Sequence, residues 1–476
     1  MENLNSLILS INDFIWTYIL IAMLVTLGIY FSVKTKFVQF RYFKEMFKLL
    51  GEGASKENKK EGQVSSFQAF CISTSSRVGT GNIAGIAMAV VVGGPGAIFW
   101  MWITALIGSA SSFVESTLAQ IFKIKDKDGF RGGPAYYIEQ GLNKKWMGIL
   151  FSILITICFG FVFNAVQANT VSLAFNSAFG IDRLTIGIII TILTAIVIFG
   201  GVHRIAKVSE IIVPIFAGLY ILVALFVVVI NIGEIPNVLK LIVENAFNFR
   251  EMSVGTTAGI ILTGVKRGLF SNEAGMGSAP NAAATADTSH PVKQGLIQTL
   301  GVFTDTILIC TCTAFIVLLY PGYSTSGLSG IELTQAALSS HIGSFAHIFI
   351  ALCIFLFAFS SIVGNYYYGE SNIEFMNSNK TVLNIFRVLV VCMVLFGSVV
   401  QVDVVWNLAD VFMALMAIIN LIAIALLGKY AFIALEDYTN QKKNGIKSPV
   451  FDASNIKGLE NVQCWNNTEI RKTKSM

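Results

Sequence analysis

Charge is what this sequence has least of. Asp, Glu, Lys and Arg make up 13% of its 476 residues while 54% are hydrophobic, for a mean hydropathy of +0.70. A soluble domain carries roughly 25% charge, so the balance excludes one and points to an integral membrane protein with little soluble mass. Histidine is scarce too. The four present (203, 290, 341 and 347) are scattered and form no HExxH pair. The glycine patterns lack the Lys-Ser/Thr that would follow in a nucleotide phosphate loop. No enzyme signature survives. The seven cysteines lie mostly inside apolar runs with no CxxC pair, which excludes a disulfide framework and a zinc site. No basic segment precedes the first apolar run, so no cleavable leader is expected. The net charge of +5 is spread over loops between apolar segments, which argues for the positive-inside rule and against nucleic acid.

Against that background, Ser73 to Gly85 stands out. It lies in an apolar run long enough to span a bilayer, yet holds three glycines, an arginine and five hydroxyls. Unpaired backbone groups in hydrocarbon cost several kcal/mol each, so such content suits a helix that unwinds at mid-membrane around a ligand. Arg267 to Gly277 answers it about 190 residues later. From Arg77 and from Arg267, Asn follows at +5, Ala at +7 and Gly at +8.

Taking roughly 20 apolar residues per span, eleven spans are expected. They run near 12–33, 65–92, 96–122, 147–175, 184–202, 209–231, 254–284, 293–320, 345–369, 382–400 and 404–435. Between the first two, Phe37 to Leu50 alternates apolar residues with Arg41, Lys44 and Lys48, the pattern of an interfacial amphipathic helix. Residues 34–62, the loop after span three and the tail after Lys429 are basic, whereas 1–11, 321–344 and 401–404 lack Lys and Arg. The N-terminus is therefore expected outside and the C-terminus in the cytoplasm. Without the first span, the two interrupted segments open two groups of five. Five being odd, the second group is inverted, the pointer to a secondary transporter with its site at the repeat interface. The domains expected are residues 1–62 (first span plus amphipathic helix), 63–231 (first repeat), 232–436 (second repeat) and 437–476 (a polar, partly disordered cytoplasmic tail). A channel would show a continuous polar stripe instead, and a sensor a signalling domain.

Freed amides around Gly79, Thr80, Gly81 and Asn82 would attract a carboxylate, and the carbonyls of Ser75 to Val78 a cation; close helix packing is the competing role for these glycines. In the second break, Phe270 to Gly277 can offer carbonyls to an ammonium group, with Phe270 or Met276 as an apolar wall. Glu273 is expected to be functional or paired, with Lys266 and Arg267 neutralising it or lining a gate. Gln167 suits a carboxylate or amide, or a bond between helices. Ser360 and Ser361 suit Na+, a hard cation that takes oxygen ligands, or bond back to their own helix. Asp305 could ligate a cation or carry a proton. Asn365, one turn beyond Ser361, would look into the same cavity.

Gly93 to Gly108 resembles the signature of the alanine or glycine:cation symporter family, and Arg77 to Gly85, Asn272 to Pro280 and Tyr367 to Glu370 are similar to its other hallmarks. The likeness covers residues 12 to 437. It implies an all-α protein with a leucine-transporter-like five-plus-five inverted repeat, preceded here by one extra helix. It also implies a Na+- or H+-coupled amino-acid symporter of the prokaryotic plasma membrane, with the bilayer and an amino acid as partners and a monomer as functional unit. By motif, Thr80, Gly81 and Gln167 would meet the substrate carboxylate, with Gly79, Asn82, Asn272 and Met276 lining the same cavity. Phe270 and Gly275 would meet its ammonium side, and Ser75, Val78, Ser360 and Ser361 would form a Na+ site. Where the family commonly has Gly-Trp, this chain has Gly364-Asn365. That resembles a glutamine-linked branch and implies glutamine, otherwise alanine or glycine, as substrate. An H+-coupled carrier, or an amino-acid-gated channel or sensor on the same fold, is the alternative.

Overall fold

A computed structural model describes residues 12–54, 63–126, 129–247, 257–456 and 458–465. Helices account for nearly all of it. In chain order they are α1 (Asn12–Lys34), α2 (Phe43–Ala54), α3 (Ser66–Arg77), α4 (Gly81–Gly93), α5 (Gly96–Ile121), α6 (Pro134–Leu142), α7 (Lys145–Phe179), α8 (Arg183–Ile198), α9 (Gly201–Ile230), α10 (Ile235–Ala246), α11 (Thr257–Asn272), α12 (Ala279–Thr285), α13 (Pro291–Leu318), α14 (Gly330–Ile342), α15 (Phe345–Met376), α16 (Lys380–Val399) and α17 (Val402–Lys443). Among the described residues, eight helices are long and apolar enough to cross a membrane, nine when the bent pair α3–α4 counts as one span. The outward faces fit that environment. Ile188, Ile192 and Ile196 on α8, and Ile211, Ile215, Leu222, Phe226 and Val229 on α9, are all exposed at helical spacing. In water such stripes would drive association.

The first break has a local cause. Ser65 caps α3 through a reciprocal pair, its hydroxyl accepting from Gln68 N at 3.1 Å and its own amide donating to Gln68 Oε1 at 3.1 Å. The helix then stops at Val78, whose backbone is extended. Gly79 follows, and α4 starts afresh at 50° to α3 through a wide turn at Gly81–Gly85. At the second break, Glu273, Gly275 and Gly277 all take the left-handed backbone (φ 56°, 83° and 86°), a conformation glycine tolerates and a glutamate rarely adopts. Glu115 of α5 holds this strand, accepting from Gly275 N and Gly277 N at 3.1 Å each. Asn420 of α17 donates to Glu115 Oε2 at 2.7 Å and to the Gly275 carbonyl at 2.9 Å.

Helix lies in each of the eleven intervals read as spans, and several of the connections between them are structured as well. α10 receives the start of α5, with Gly96 N donating to Asn245 Oδ1 at 2.8 Å and Trp100 Nε1 to the Ala246 carbonyl at 3.1 Å. α14 ties to the first break through Thr334, which donates to the Ile83 carbonyl at 3.3 Å. At the other end of the bundle a two-stranded hairpin (β1 Ile124–Asp126, β2 Gly129–Arg131) follows α5. Arg131 bridges Asp126 and Glu374 at 2.5 Å each. Val64, Arg131, Thr285, Glu370, Glu374 and Arg387 line a cavity of ≈ 160 Å³ there. α2 carries Phe43 and Phe47 exposed and Met46 and Leu49 buried, the two-faced pattern of an interfacial helix.

Of the tail, residues 444–456 and 458–465 are described and packed against the bundle; the rest of the segment expected to be partly disordered lies outside the described residues. α17 runs to Lys443, and the chain then folds back to residue 465. Phe451 N donates to the Ser289 carbonyl at 2.9 Å, and Trp465 Nε1 donates to the Gln120 carbonyl at 2.7 Å. Both rings are buried and meet edge to face at 5.4 Å. Trp465 lies 4.9 Å from the Lys123 ammonium, with Phe130 at 3.9 Å. Burial pushes Lys123 down to about 8, against the pull of Asp287 and Cys464. Ala453 and Ile456 are buried alongside Phe451 and Trp465, and Tyr430 Oη donates to the Gly458 carbonyl at 2.6 Å.

Candidate functional site

The two breaks face each other. Thr80, the first residue after the Val78–Gly79 opening, donates twice to Gln167 Oε1 of α7, from its amide at 3.0 Å and its hydroxyl at 2.7 Å. An acceptor oxygen therefore sits where the freed N–H and hydroxyl converge, the arrangement a carboxylate oxygen would take over. Gly79 N donates to Asn82 Oδ1 at 2.9 Å. A Cβ at residue 79 would lie 2.4 Å from Ser361 Oγ and 2.8 Å from Gln167 Oε1, so only glycine lets these groups meet. Gly81 presses on the Phe270 ring, which is sandwiched between Phe163 at 4.6 Å and Trp406 at 4.8 Å. Phe270 is thus an apolar wall against the first break, and Phe163 and Trp406 extend it. Nothing in the sequence singled out these two aromatics among the many aromatic and apolar residues of their spans.

Beside Gln167 lies a cluster of oxygens. Ser361 Oγ is 2.8 Å from the Ser75 carbonyl, 3.2 Å from that of Val78 and 3.0 Å from that of Phe357. Ser360 Oγ reaches the same Phe357 carbonyl at 2.8 Å. A hydroxyl has one proton to give, so three carbonyls around it leave excess negative potential in a buried place. A small hard cation would satisfy it, since such ions choose carbonyl and hydroxyl oxygens. The set fits Na+: three carbonyls and two hydroxyls from the end of α3 and one turn of α15. Phe357 enters through its backbone, which no side-chain pattern reveals. Among the described residues no group of three His, Cys, Asp or Glu could hold a metal.

Asp305 is placed elsewhere. Its carboxylate accepts from Asn82 Nδ2 at 2.6 Å, Ser271 Oγ at 2.5 Å and Thr306 Oγ1 at 3.0 Å. It therefore anchors Asn82 to the second break and is already satisfied by donors. Gly275 and Met276 are held on the Glu115 side, the first by Glu115 and Asn420 and the second through its amide to the Glu273 carbonyl at 3.1 Å. Asn272 accepts from Ala274 N at 3.0 Å, and its Nδ2 has no partner among the described residues.

The expected neutralisation of Glu273 by Lys266 or Arg267 is not what the structure has. Arg267 forms a two-pronged pair with Asp410 at 2.6 Å to each oxygen and stacks over Trp406 at 4.8 Å. Lys266 faces Asp13 at 3.9 Å and the Trp16 ring. Glu273 instead receives hydroxyls from Ser76 at 2.8 Å and Ser278 at 2.5 Å. Ser76 Oγ also meets Asn365 Oδ1 at 2.6 Å, so Ser76 links Glu273 of the second break to Asn365 of α15.

A family profile for the sodium:alanine symporter family matches residues 1–453. The chain is 60% identical over 454 residues to the probable sodium/glutamine symporter GlnT of Bacillus subtilis, covering 95% of this chain and 94% of that one. It is 56% identical to the amino-acid carrier protein AlsT of the same organism, over 97% of each. Its fold is similar to the crystal structure of MhsT in complex with L-phenylalanine, with a TM-score of 0.58 at 15% identity over 79% of this chain and 96% of that one. The chain belongs to the sodium:alanine symporter family, and is a membrane transporter rather than an enzyme.

Proposed function

We propose that this chain imports a small neutral amino acid together with Na+ by alternating access, with glutamine as the preferred substrate and alanine or glycine as the next candidates. The observation that carries the reading is the pairing of two sites at one break. The Thr80 amide and hydroxyl converge on a single acceptor position, and at the end of the preceding helix Ser361 of α15 is ringed by the carbonyls of Ser75, Val78 and Phe357. The first suits the substrate carboxylate and the second Na+. Binding both biases the outward-to-inward equilibrium only so far as each prefers one state. The architecture proposed is eleven spans, an inverted pair of five-helix repeats after one extra helix. The protein is then a monomer in the plasma membrane with its C-terminus in the cytoplasm.

Glutamine is favoured by Asn365, whose amide can pair with a side-chain amide, and by the likeness to GlnT. The test is counterflow in proteoliposomes with a panel of amino acids, with and without a Na+ gradient. Na+-dependent glutamine uptake is expected, and Asn365→Trp should shift preference toward alanine and glycine. Uptake indifferent to Na+ and abolished by collapsing a proton gradient would sink the Na+ assignment. An unchanged preference in Asn365→Trp would remove Asn365 as the determinant.

A further inference from the structure

Glu273 is a carboxylate that the transport reading leaves without a task. It is 1% exposed, and its oxygens meet Ser76 Oγ at 2.8 Å and Ser278 Oγ at 2.5 Å. The same Ser76 oxygen lies 2.6 Å from the Asn365 side-chain oxygen, while Asn365 Nδ2, buried, has no partner among the described residues. One hydroxyl proton thus faces two acceptors, beside an idle donor. Ser278 donates to Oε2, which leaves Oε1 to carry any carboxyl proton, and two arrangements then resolve the row. With Glu273 protonated, Oε1–H donates to Ser76, Ser76 donates to Asn365 Oδ1, and Nδ2 stays free. With Glu273 ionised, Ser76 donates to Glu273 and must accept from Asn365. The amide then makes a half-turn, Nδ2 donates to Ser76, and Oδ1 becomes the free end. Such a half-turn barely changes the shape of the side chain.

We propose that Glu273 is a proton-binding site and that its state, relayed through Ser76, sets which end of the Asn365 amide is offered to the substrate side chain. Protonated, it makes Asn365 a donor, suited to substrates whose side chain only accepts. Ionised, it makes Asn365 an acceptor, suited to side chains that donate. The proton comes from water and returns to it when the site opens, and no other bond changes. Charged and titratable groups surround Glu273 on several elements: Arg77 on α3, Cys158 on α7, Asp305 on α13, Tyr368 on α15, and Glu115 on α5 at the same strand. The inference rests on the reading of Asn365 as lining the substrate cavity.

The test is competition of labelled glutamine uptake in proteoliposomes by methionine sulfoxide, an acceptor-only side chain, from about pH 5 to about pH 9. In the unmodified protein its potency should fall about three- to tenfold as pH rises, the worth of one hydrogen bond, with Na+ dependence unchanged. Glu273→Gln, whose amide donates to Ser76 at every pH, should keep the low-pH preference throughout. Ser76→Ala should lose the pH dependence while the protonated-carboxyl infrared band, absent in Glu273→Gln, still titrates. The relay is overturned by a potency that does not change with pH in the unmodified protein, by a pH profile surviving in Glu273→Gln, or by Ser76→Ala matching the unmodified protein. Should Glu273→Gln fail to fold, Glu273→Asp must move the band and weaken the preference; a band that does not move overturns the proposal. Absence of any neutral amino-acid uptake by the unmodified protein refutes the transport reading, and the infrared titration then still decides whether Glu273 binds a proton.

Discussion

Ser360 and Ser361 are neighbours with different surroundings. Ser360 reaches one carbonyl, of its own helix, whereas Ser361 reaches three from two helices. In a Na+ site the second should matter more. Ser361→Ala is expected to raise the Na+ concentration for half-maximal uptake about tenfold, the scale of one hydrogen bond to a charged group, and Ser360→Ala by clearly less. The stabilisation that Na+ gives the protein in a melting experiment should shrink in the same order, because a ligand stabilises by its affinity for the folded state. Equal effects would argue for a packing role instead. Hydroxyls in an apolar run made both serines legible in the sequence. The Phe357 carbonyl was not, because every residue has one. Asp305 was readable as an ionisable group, but not its satisfaction by Asn82, Ser271 and Thr306, which come together only in three dimensions.

At the scale of elements, the breaks were the most legible feature, because glycines and polar groups inside apolar runs have few other uses. The clamp on the second break was not, since Glu115 lies on another helix and no spacing links it to Gly275 and Gly277. Nor was α14 (Gly330–Ile342), which is too short to span a bilayer, although Ile331, Leu333, Ala337 and Leu338 recur at helical spacing and are buried. The docking of residues 444–465 was not legible either. It rests on Phe451 and Trp465 and on backbone bonds to Ser289 and Gln120, contacts more than a hundred residues away in sequence. Trp465→Ala should therefore free residues 444–465 without unfolding the bundle. A buried Trp→Ala change costs about 3 kcal/mol or more, enough to raise the undocked fraction over a hundredfold. Limited proteolysis should then cut the tail of the variant and spare that of the unmodified protein, with the helical circular dichroism unchanged. Equal cleavage of both would mean that the ring does not hold the tail.

For the whole molecule, the inverted repeat makes a mechanical demand. In that reading α3 and α12 are the two inner half-helices, and one of the two alternating states must part them. The structure ties them at that end: Val64 and Ala286 form a parallel bridge, and Asp287 N donates to the Val64 carbonyl at 3.0 Å. A single backbone hydrogen bond contributes about 1 kcal/mol net, enough to bias a closed end and too little to lock it. A covalent bond would lock it. Paired strands lie about 4.8 Å apart, within the Cα separation a disulfide spans, so Val64→Cys with Ala286→Cys should cross-link on oxidation. The oxidised double variant is expected to lose most of its uptake and regain it with reductant, while Na+ still raises its melting temperature because the Ser361 oxygens are untouched. Each single variant controls for the seven native cysteines, of which Cys392 is exposed. Full uptake by the cross-linked protein would mean that this end does not open during transport, and the assignment of α3 and α12 as a moving pair would fall with it.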